Sequence, residues 1–214
     1  MKDLSNYRKS YEKSELTEQN LPEDPITLFR DWFVEAEEFD GAVEVNAMTI
    51  STIGLDGYPK SRVVLLKQFT FEGFIFYTNY DSEKGKAIDN NPNVCLSFFW
   101  HEQERQVIIK GRAEKIAENL SDGYFESRPE GSRLGAIVSP QSEIIPSRTY
   151  LEEKLTILEE EYKDKEISRP ENWGGYIVKP IAIEFWQGRA NRLHDRIRYK
   201  LEEDLNWQID RLAP

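Results

Sequence analysis

The sequence predicts an α+β chain, an antiparallel β-barrel or curled sheet with helices attached. Three observations lead there. After one early helix the apolar period changes from helical to alternating, and short runs rich in β-branched and aromatic residues follow one another across tight turns. Helical sequence returns only between about residues 119 and 162, before strands resume. Nothing marks a domain boundary, since repeats, low-complexity tracts and Gly/Ser linkers are missing, and closing such a sheet removes its exposed edges.

Residues 1–20 are charged and lack an apolar period, so they read as a mobile N-terminal arm before a single domain over 21–214. Asp24-Pro25 supplies an N-cap and a first-turn proline, and Phe29, Trp32, Phe33 and Ala36 follow at helical spacing, which predicts a helix over 25–38. Strands then follow at Ala47 to Ile53, Ser61 to Phe69 and Phe74 to Asn79, joined by turns at Leu55-Asp56-Gly57 and Glu72-Gly73. Three strands in a row with tight turns make an antiparallel meander. Ser82 caps a short helix that Asn90-Asn91-Pro92 ends, and the meander continues through Val94 to Trp100 and Gln106 to Lys115. Between Asn119 and Val138 the helical pattern holds Pro129, and the residue before a proline avoids the α region, so two short helices are expected. Tyr150 to Tyr162 carries Leu151, Leu155 and Leu158 on one face and glutamates on the other, an amphipathic helix with a solvated acidic side. Strands at Tyr176 to Trp186, Arg192 to Leu201 and Leu205 to Leu212 complete a count of about eight strands and four or five helices.

Charge and composition exclude several classes. With 28 Lys+Arg against 39 Asp+Glu the formal charge is −11, so a nucleic acid or anionic membrane would meet a repelling surface. No apolar run approaches the roughly 20 residues that span a bilayer, and the polar start MKDLSNYRKSYEKSE has no signal-peptide hydrophobic region; the chain reads as soluble and cytoplasmic. The single cysteine, Cys95, forms no internal disulfide, and His101 and His194 make no zinc motif, so no metal site is expected. A G-x-G-x-x-G after a strand, a P-loop, a G-x-S-x-G elbow and H-E-x-x-H are all missing. Chemistry without them points to a bound cofactor, with the protein supplying anion clamps and aromatic walls.

The informative feature is where an acidic chain keeps its cations. Arg62 and Lys67 bracket Val63-Val64-Leu65-Leu66, and strand alternation puts them on opposite faces at the two ends. Tyr124, Arg128 and Ser132 either align at spacings of four on one helix or, because of Pro129, place Ser132 in the first turn of a second; an arginine beside a helix N-terminus is a ready phosphate site. In Arg192-Leu193-His194-Asp195-Arg196, alternation sends Arg192, His194 and Arg196 to one face, where they repel unless something negative lies among them. Just upstream, Glu184-Phe185-Trp186-Gln187-Gly188 offers an indole as a flat wall or simply as core. Each set has a plain alternative: the first and third pair their cations with carboxylates of the same chain, and the second is a surface helix with an incidental arginine.

Taken together these segments resemble the pyridoxine/pyridoxamine 5'-phosphate oxidase family over nearly the whole chain. The carriers are Leu21-Pro22-Glu23-Asp24-Pro25, Arg62-Val63-Val64-Leu65-Leu66-Lys67, Phe76-Tyr77-Thr78-Asn79, Glu104-Arg105-Gln106-Val107, Ser127-Arg128-Pro129, Ser139-Pro140-Gln141-Ser142, the 184–188 and 192–196 segments, and Arg211-Leu212-Ala213-Pro214. The resemblance implies a split β-barrel homodimer that binds FMN at sites shared between its chains. FMN would contact Arg62, Val63, Val64, Leu65, Leu66, Lys67, Tyr77, Thr78, Lys84, Gln106, Gln141, Ser142, Trp186 and Arg196. The substrate phosphate would be held by Lys67, Tyr124, Arg128 and Ser132, with Arg192 and His194 as the catalytic pair against the pyridine ring, and the arm, Arg8 to Tyr11, closing over the substrate. The reaction implied is hydride transfer from C4' of pyridoxamine or pyridoxine 5'-phosphate to the flavin, with O2 as acceptor, H2O2 as product and pyridoxal 5'-phosphate released. Glu83 departs from the pattern, because many relatives carry arginine there, which removes one possible phosphate contact while leaving Lys84. Competing readings are a flavin reductase on the same barrel and a non-catalytic binder of FMN or pyridoxal phosphate.

Overall fold

A computed structural model describes residues 1–7, 9–39, 41 and 43–214. Among them are five α-helices and nine strands in the order α1 (Pro25–Glu37), β1 (Ala47–Ile53), β2 (Pro59–Leu65), β3 (Gln68–Thr70), β4 (Gly73–Asn79), α2 (Glu83–Asn90), β5 (Asn93–Trp100), β6 (Arg105–Lys115), α3 (Glu118–Glu126), α4 (Glu130–Val138), α5 (Arg148–Glu161), β7 (Trp173–Gln187), β8 (Asp195–Leu201) and β9 (Trp207–Arg211). The strands run β2-β1-β5-β6-β7-β4-β3 in one sheet, with β8 on β7 and β9 on β8. The pairings β3–β4, β4–β7, β7–β8 and β8–β9 are antiparallel. No described helix is long and apolar enough to cross a membrane.

The residues gather into two compact units, one of 1–50, 95–111 and 180–214, the other of 51–94 and 112–179. In the first, Asp24 caps α1 by accepting from the Ile26 amide at 2.8 Å, which starts the helix where its apolar face begins. That face buries Phe29 edge-on against Phe98 at 5.2 Å and Trp32 against Phe185 at 5.2 Å. Burying a ring of this kind contributes roughly 1.5–3 kcal/mol. Within the 1–20 segment, Leu16 is buried and its amide donates to Asp195.

In the second unit β4 is buried almost throughout and pairs with residues 173–178 of β7. Gly73 enters it at φ +149, and a Cβ there would lie 2.2 Å from the Val178 carbonyl oxygen, so a side chain would force the strands apart. Ser82 caps α2 by accepting from the Gly85 amide. Pro129 separates α3 from α4 as the sequence predicts, and Phe125, Leu134, Ile167 and Trp173 close a satellite core beside them.

Two expectations are corrected. The predicted strand over 61–69 is two strands: β2 ends at Leu65, the Lys67 amide turns to the Ile75 carbonyl at 2.9 Å, and β3 pairs with β4. A single strand cannot serve two partners in different directions without such a break. The predicted strand over 192–201 begins only at Asp195, because Ala190–Arg192 form a 3-10 turn with Asn191 and Arg192 in the left-handed region, φ 57 and 62. The turn closes when the Arg189 amide donates to Nδ1 of His194 at 3.0 Å.

Candidate active site

The second unit holds a cavity of about 550 Å³. β2 brings Arg62, Val63, Val64 and Leu65 to its wall, β4 brings Tyr77 and Thr78, α2 brings Lys84, and the α3–α4 junction brings Tyr124, Arg128 and Ser132. Lys67 and Gln141 also line it. Alternation had sent Arg62 and Lys67 to opposite faces; the break after Leu65 takes Lys67 out of the strand and lets both reach one cavity. Pro129 decides the geometry left open for the second cluster: Ser132 lies in the first turn of α4, and its amide donates to the Pro129 carbonyl.

Lys84 is the electrostatic centre. Only 9% exposed, its ammonium donates to Thr78 Oγ1 at 2.9 Å, Gln141 Oε1 at 2.6 Å and Ser82 Oγ at 3.4 Å, all of them neutral oxygens. Burial first, and the nearby Arg62 second, lower its pKa to about 8. Arg62 donates to Thr52 Oγ1 and the Lys60 carbonyl, both at 2.8 Å. Glu83 pairs with Lys60, and its charge partly offsets the fall in pKa at Lys84 and Arg62.

The opposite wall is aromatic. Tyr77 stacks on Tyr124 with centroids 3.9 Å apart and on Trp173 at 5.6 Å, and the Arg128 guanidinium lies 4.8 Å from the Trp173 centroid. Nη1 of Arg128 is buried with no hydrogen-bond partner among the described residues. Burial lowers its pKa, as expected of a cation held out of water without an anion. Trp173, which no sequence argument singled out, forms this wall because register pairs it with Asn79, a contact between distant segments.

The other site residues divide. Leu66, 4% exposed, packs in the core and does not line the cavity. Ser142, at φ 74, lines a neighbouring depression with Gln141, Glu83 and Lys86. In the first unit Gln106 is half-buried on β6. Trp186 and His194 stand 4.6 Å apart with Tyr11 edge-on to the indole at 5.8 Å. Arg192, exposed in its turn, and His194, ahead of β8, share no strand face with Arg196, which corrects that reading; the left-handed residues interrupt the alternation on which it depended. Burial and the Arg192 charge lower the His194 pKa, and because Nδ1 accepts from Arg189, the ring proton of the neutral form belongs on Nε2. Arg196 is held by Glu184 at 2.8 Å and the Ala213 carbonyl at 2.7 Å. Arg8 lies outside the described residues. No cluster that could hold a metal occurs among the described residues.

Comparison with known proteins gives consistent matches. Residues 34–161 match a family model described as pyridoxamine 5'-phosphate oxidase, and residues 173–214 match one described as the pyridoxine 5'-phosphate oxidase C-terminal dimerisation region. The chain is 76% identical over 214 residues to a pyridoxine/pyridoxamine 5'-phosphate oxidase of Flavobacterium psychrophilum, covering 100% of both chains. It is similar in structure to PhzG from Burkholderia lata, solved in complex with tetrahydrophenazine-1-carboxylic acid, with a TM-score of 0.84 and 28% identity over 90% of this chain and 94% of that one. A pyridoxamine 5'-phosphate oxidase-related, FMN-binding protein from Nostoc punctiforme shares the fold at a TM-score of 0.69 and 15% identity, over 87% and 97% of the two chains. The expected fold class, an antiparallel split barrel with attached helices, is borne out.

Proposed function

The chain belongs to the pyridoxamine 5'-phosphate oxidase family, and on that premise we propose that it oxidises pyridoxamine and pyridoxine 5'-phosphates to pyridoxal 5'-phosphate, as a homodimer with bound FMN, O2 as acceptor and H2O2 as product. One observation carries this reading: an aromatic-walled cavity in which buried Lys84 and half-buried Arg128, its Nη1 without a partner, hydrogen-bond no carboxylate among the described residues. When bound, FMN would supply the redox chemistry, hydride acceptance from the substrate and electron transfer to O2.

The chain's own residues bind and orient. The donor set fits a phosphorylated flavin, since Lys84 offers a cation already desolvated and steered by Thr78 and Gln141. Charge-assisted bonds to a phosphate are about twice as strong as neutral ones, and among the described residues no carboxylate hydrogen-bonds this donor. Arg128, Lys67, Tyr124 and Ser132 take the substrate phosphate, with Nη1 of Arg128 the donor left for it. Fixing that phosphate orients C4', and positioning of this kind contributes on the order of several kcal/mol to the rate. Arg192 and His194 serve the pyridine ring, where a neutral imidazole donates from Nε2 without adding positive charge. Trp186 and Arg196 serve the flavin across the dimer, a sharing supported by the match of 173–214 to a dimerisation region. The test is twofold: the purified protein should absorb at roughly 370 and 450 nm and release peroxide on addition of pyridoxamine 5'-phosphate. A yellow protein that holds the amine and releases no peroxide would be a binder and would overturn the proposal.

A further inference from the structure

Glu104 is an acid in an unusual place. It ends a 3-10 turn at φ 56, in the left-handed region that a side chain with a Cβ rarely adopts, and it is 2% exposed. Its Oε2 accepts from the backbone amides of Glu12 at 2.9 Å and Lys13 at 3.2 Å, and its Oε1 lies 3.4 Å from the Lys9 ammonium. Burial by itself would raise this carboxyl, but the two amides and Lys9 outweigh it and hold it below the usual range. The same residue's carbonyl accepts from the Gly188 amide at 2.8 Å and from Gln187 Nε2 at 3.3 Å. Gly188 in turn is the seat of Tyr11: a Cβ there would lie 2.7 Å from Tyr11 Cδ2 and 2.8 Å from its Cβ and Cγ. Seated so, Tyr11 packs on Trp186 and, at 6.0 Å, on His194.

We propose that Glu104 is a positioning residue, a latch whose carboxylate grips the N-terminal segment at Glu12 and Lys13 while its carbonyl fixes Gly188, so that Tyr11 is held against Trp186 and His194. This rests on the function proposed above, in which those two residues serve flavin and substrate. The left-handed backbone is what lets one residue do both, since it turns the side chain toward the segment while its carbonyl meets the Gly188 amide. A second anchor lies further along, where Asp195 accepts from the Leu16 amide at 3.1 Å and Arg211 donates to the Leu16 carbonyl at 2.8 Å.

The test is amide hydrogen exchange by NMR on the flavin-loaded protein, together with steady-state kinetics, for Glu104→Ala, Glu104→Gln and Gly188→Ala. In Glu104→Ala the Glu12 and Lys13 amides should exchange about ten- to a hundredfold faster, the loss expected for a charged acceptor, while Leu16, held by Asp195, keeps its rate. Glu104→Gln retains an amide-accepting oxygen and should fall between. Gly188→Ala leaves the carboxylate in place but displaces Tyr11, so it carries the test if Glu104→Ala does not fold. Both Glu104→Ala and Gly188→Ala should raise KM for pyridoxamine 5'-phosphate about tenfold with kcat and flavin content nearly unchanged. Unaltered exchange at Glu12 and Lys13 would overturn the latch, and faster exchange with unaltered KM would overturn the positioning role. Failure of the parent protein to turn over would reject the proposed function separately, because the exchange rates still decide whether Glu104 grips the segment.

Discussion

Arg105 and Arg128 are both laid over an indole, 4.4 Å from the Trp32 centroid and 4.8 Å from the Trp173 centroid, yet they differ in everything else they touch. Arg105 donates from Nε to Gln187 at 2.8 Å and from Nη1 to Glu35 at 2.5 Å, so folding alone satisfies it. Arg128 keeps a buried Nη1 without a partner. The contrast extends to their surroundings. Arg189, Arg196 and Arg211 in the first unit and Arg169 in the second each hold a carboxylate, whereas Lys84 is surrounded by neutral oxygens. An arginine supplied with its anion by the chain contributes to stability, while one left short of an anion costs stability until a ligand brings the charge.

The sharpest way to break this comparison is to remove both guanidiniums and keep the bulk. Arg105→Met should lower the unfolding free energy by about 2–4 kcal/mol, because a buried Gln187 contact and a charge pair are lost together. Arg128→Met, in protein freed of ligand, should stay within about 1 kcal/mol of the parent in a urea titration. Equal losses would show that Arg128 is also a structural arginine. The next effect is on binding: Arg128→Ala should weaken pyridoxamine 5'-phosphate by roughly 1.5–3 kcal/mol, about ten- to a hundredfold, with flavin content kept. Loss of flavin with unchanged substrate affinity would reassign the residue.

Smaller effects separate Arg192 from Arg196. Arg192→Ala should lower turnover several-fold and leave the protein yellow, since an exposed residue in a turn supports no core. Arg196→Ala should raise the FMN dissociation constant and recover activity in excess FMN, and losing its partly exposed pair with Glu184 should cost under about 1 kcal/mol of stability. Equal flavin loss in both variants would erase the distinction. The smallest effect is on pH dependence. Folding lowers Lys84 from 10.5 to about 8, so the unfolded chain binds more protons between those values. Stability from this group therefore rises with pH across that window and is flat below it, while on the proposed function phosphate binding should weaken over the same window as the amine loses its charge. Urea midpoints for the parent and Lys84→Met should diverge above about pH 8, and parallel profiles would refute the depressed value.

What could be read before the structure follows a pattern set by distance along the chain. The helix expected over 25–38 forms over 25–37, because its cap and its apolar spacing are both written within a few residues. Ser82 and Pro129 act as expected for the same reason. Alternation failed at Lys67 and again at Arg192, where a change of strand partner and two left-handed residues interrupt a period that the sequence pattern continues. The cationic residues of the site were legible as an excess of positive groups in an acidic chain, but Trp173 and Glu104 were not, since an indole at a strand start and an acid after a turn look ordinary until their partners are known.

Residue order alone therefore settles most of the elements and their caps, together with the identity of the cations in the chain. Those depend on backbone dihedrals and side-chain bonds spanning four residues or so. Whether a given cation is neutralised is a different matter. Arg105 finds its acceptor in Gln187 and Lys84 finds Gln141, contacts between segments that meet only once the strands and helices have packed. The desolvation that makes an unmatched charge costly exists only in that packed interior, so tertiary structure alone decided that Arg105 is paired within the chain while Arg128 keeps a buried donor without a partner among the described residues.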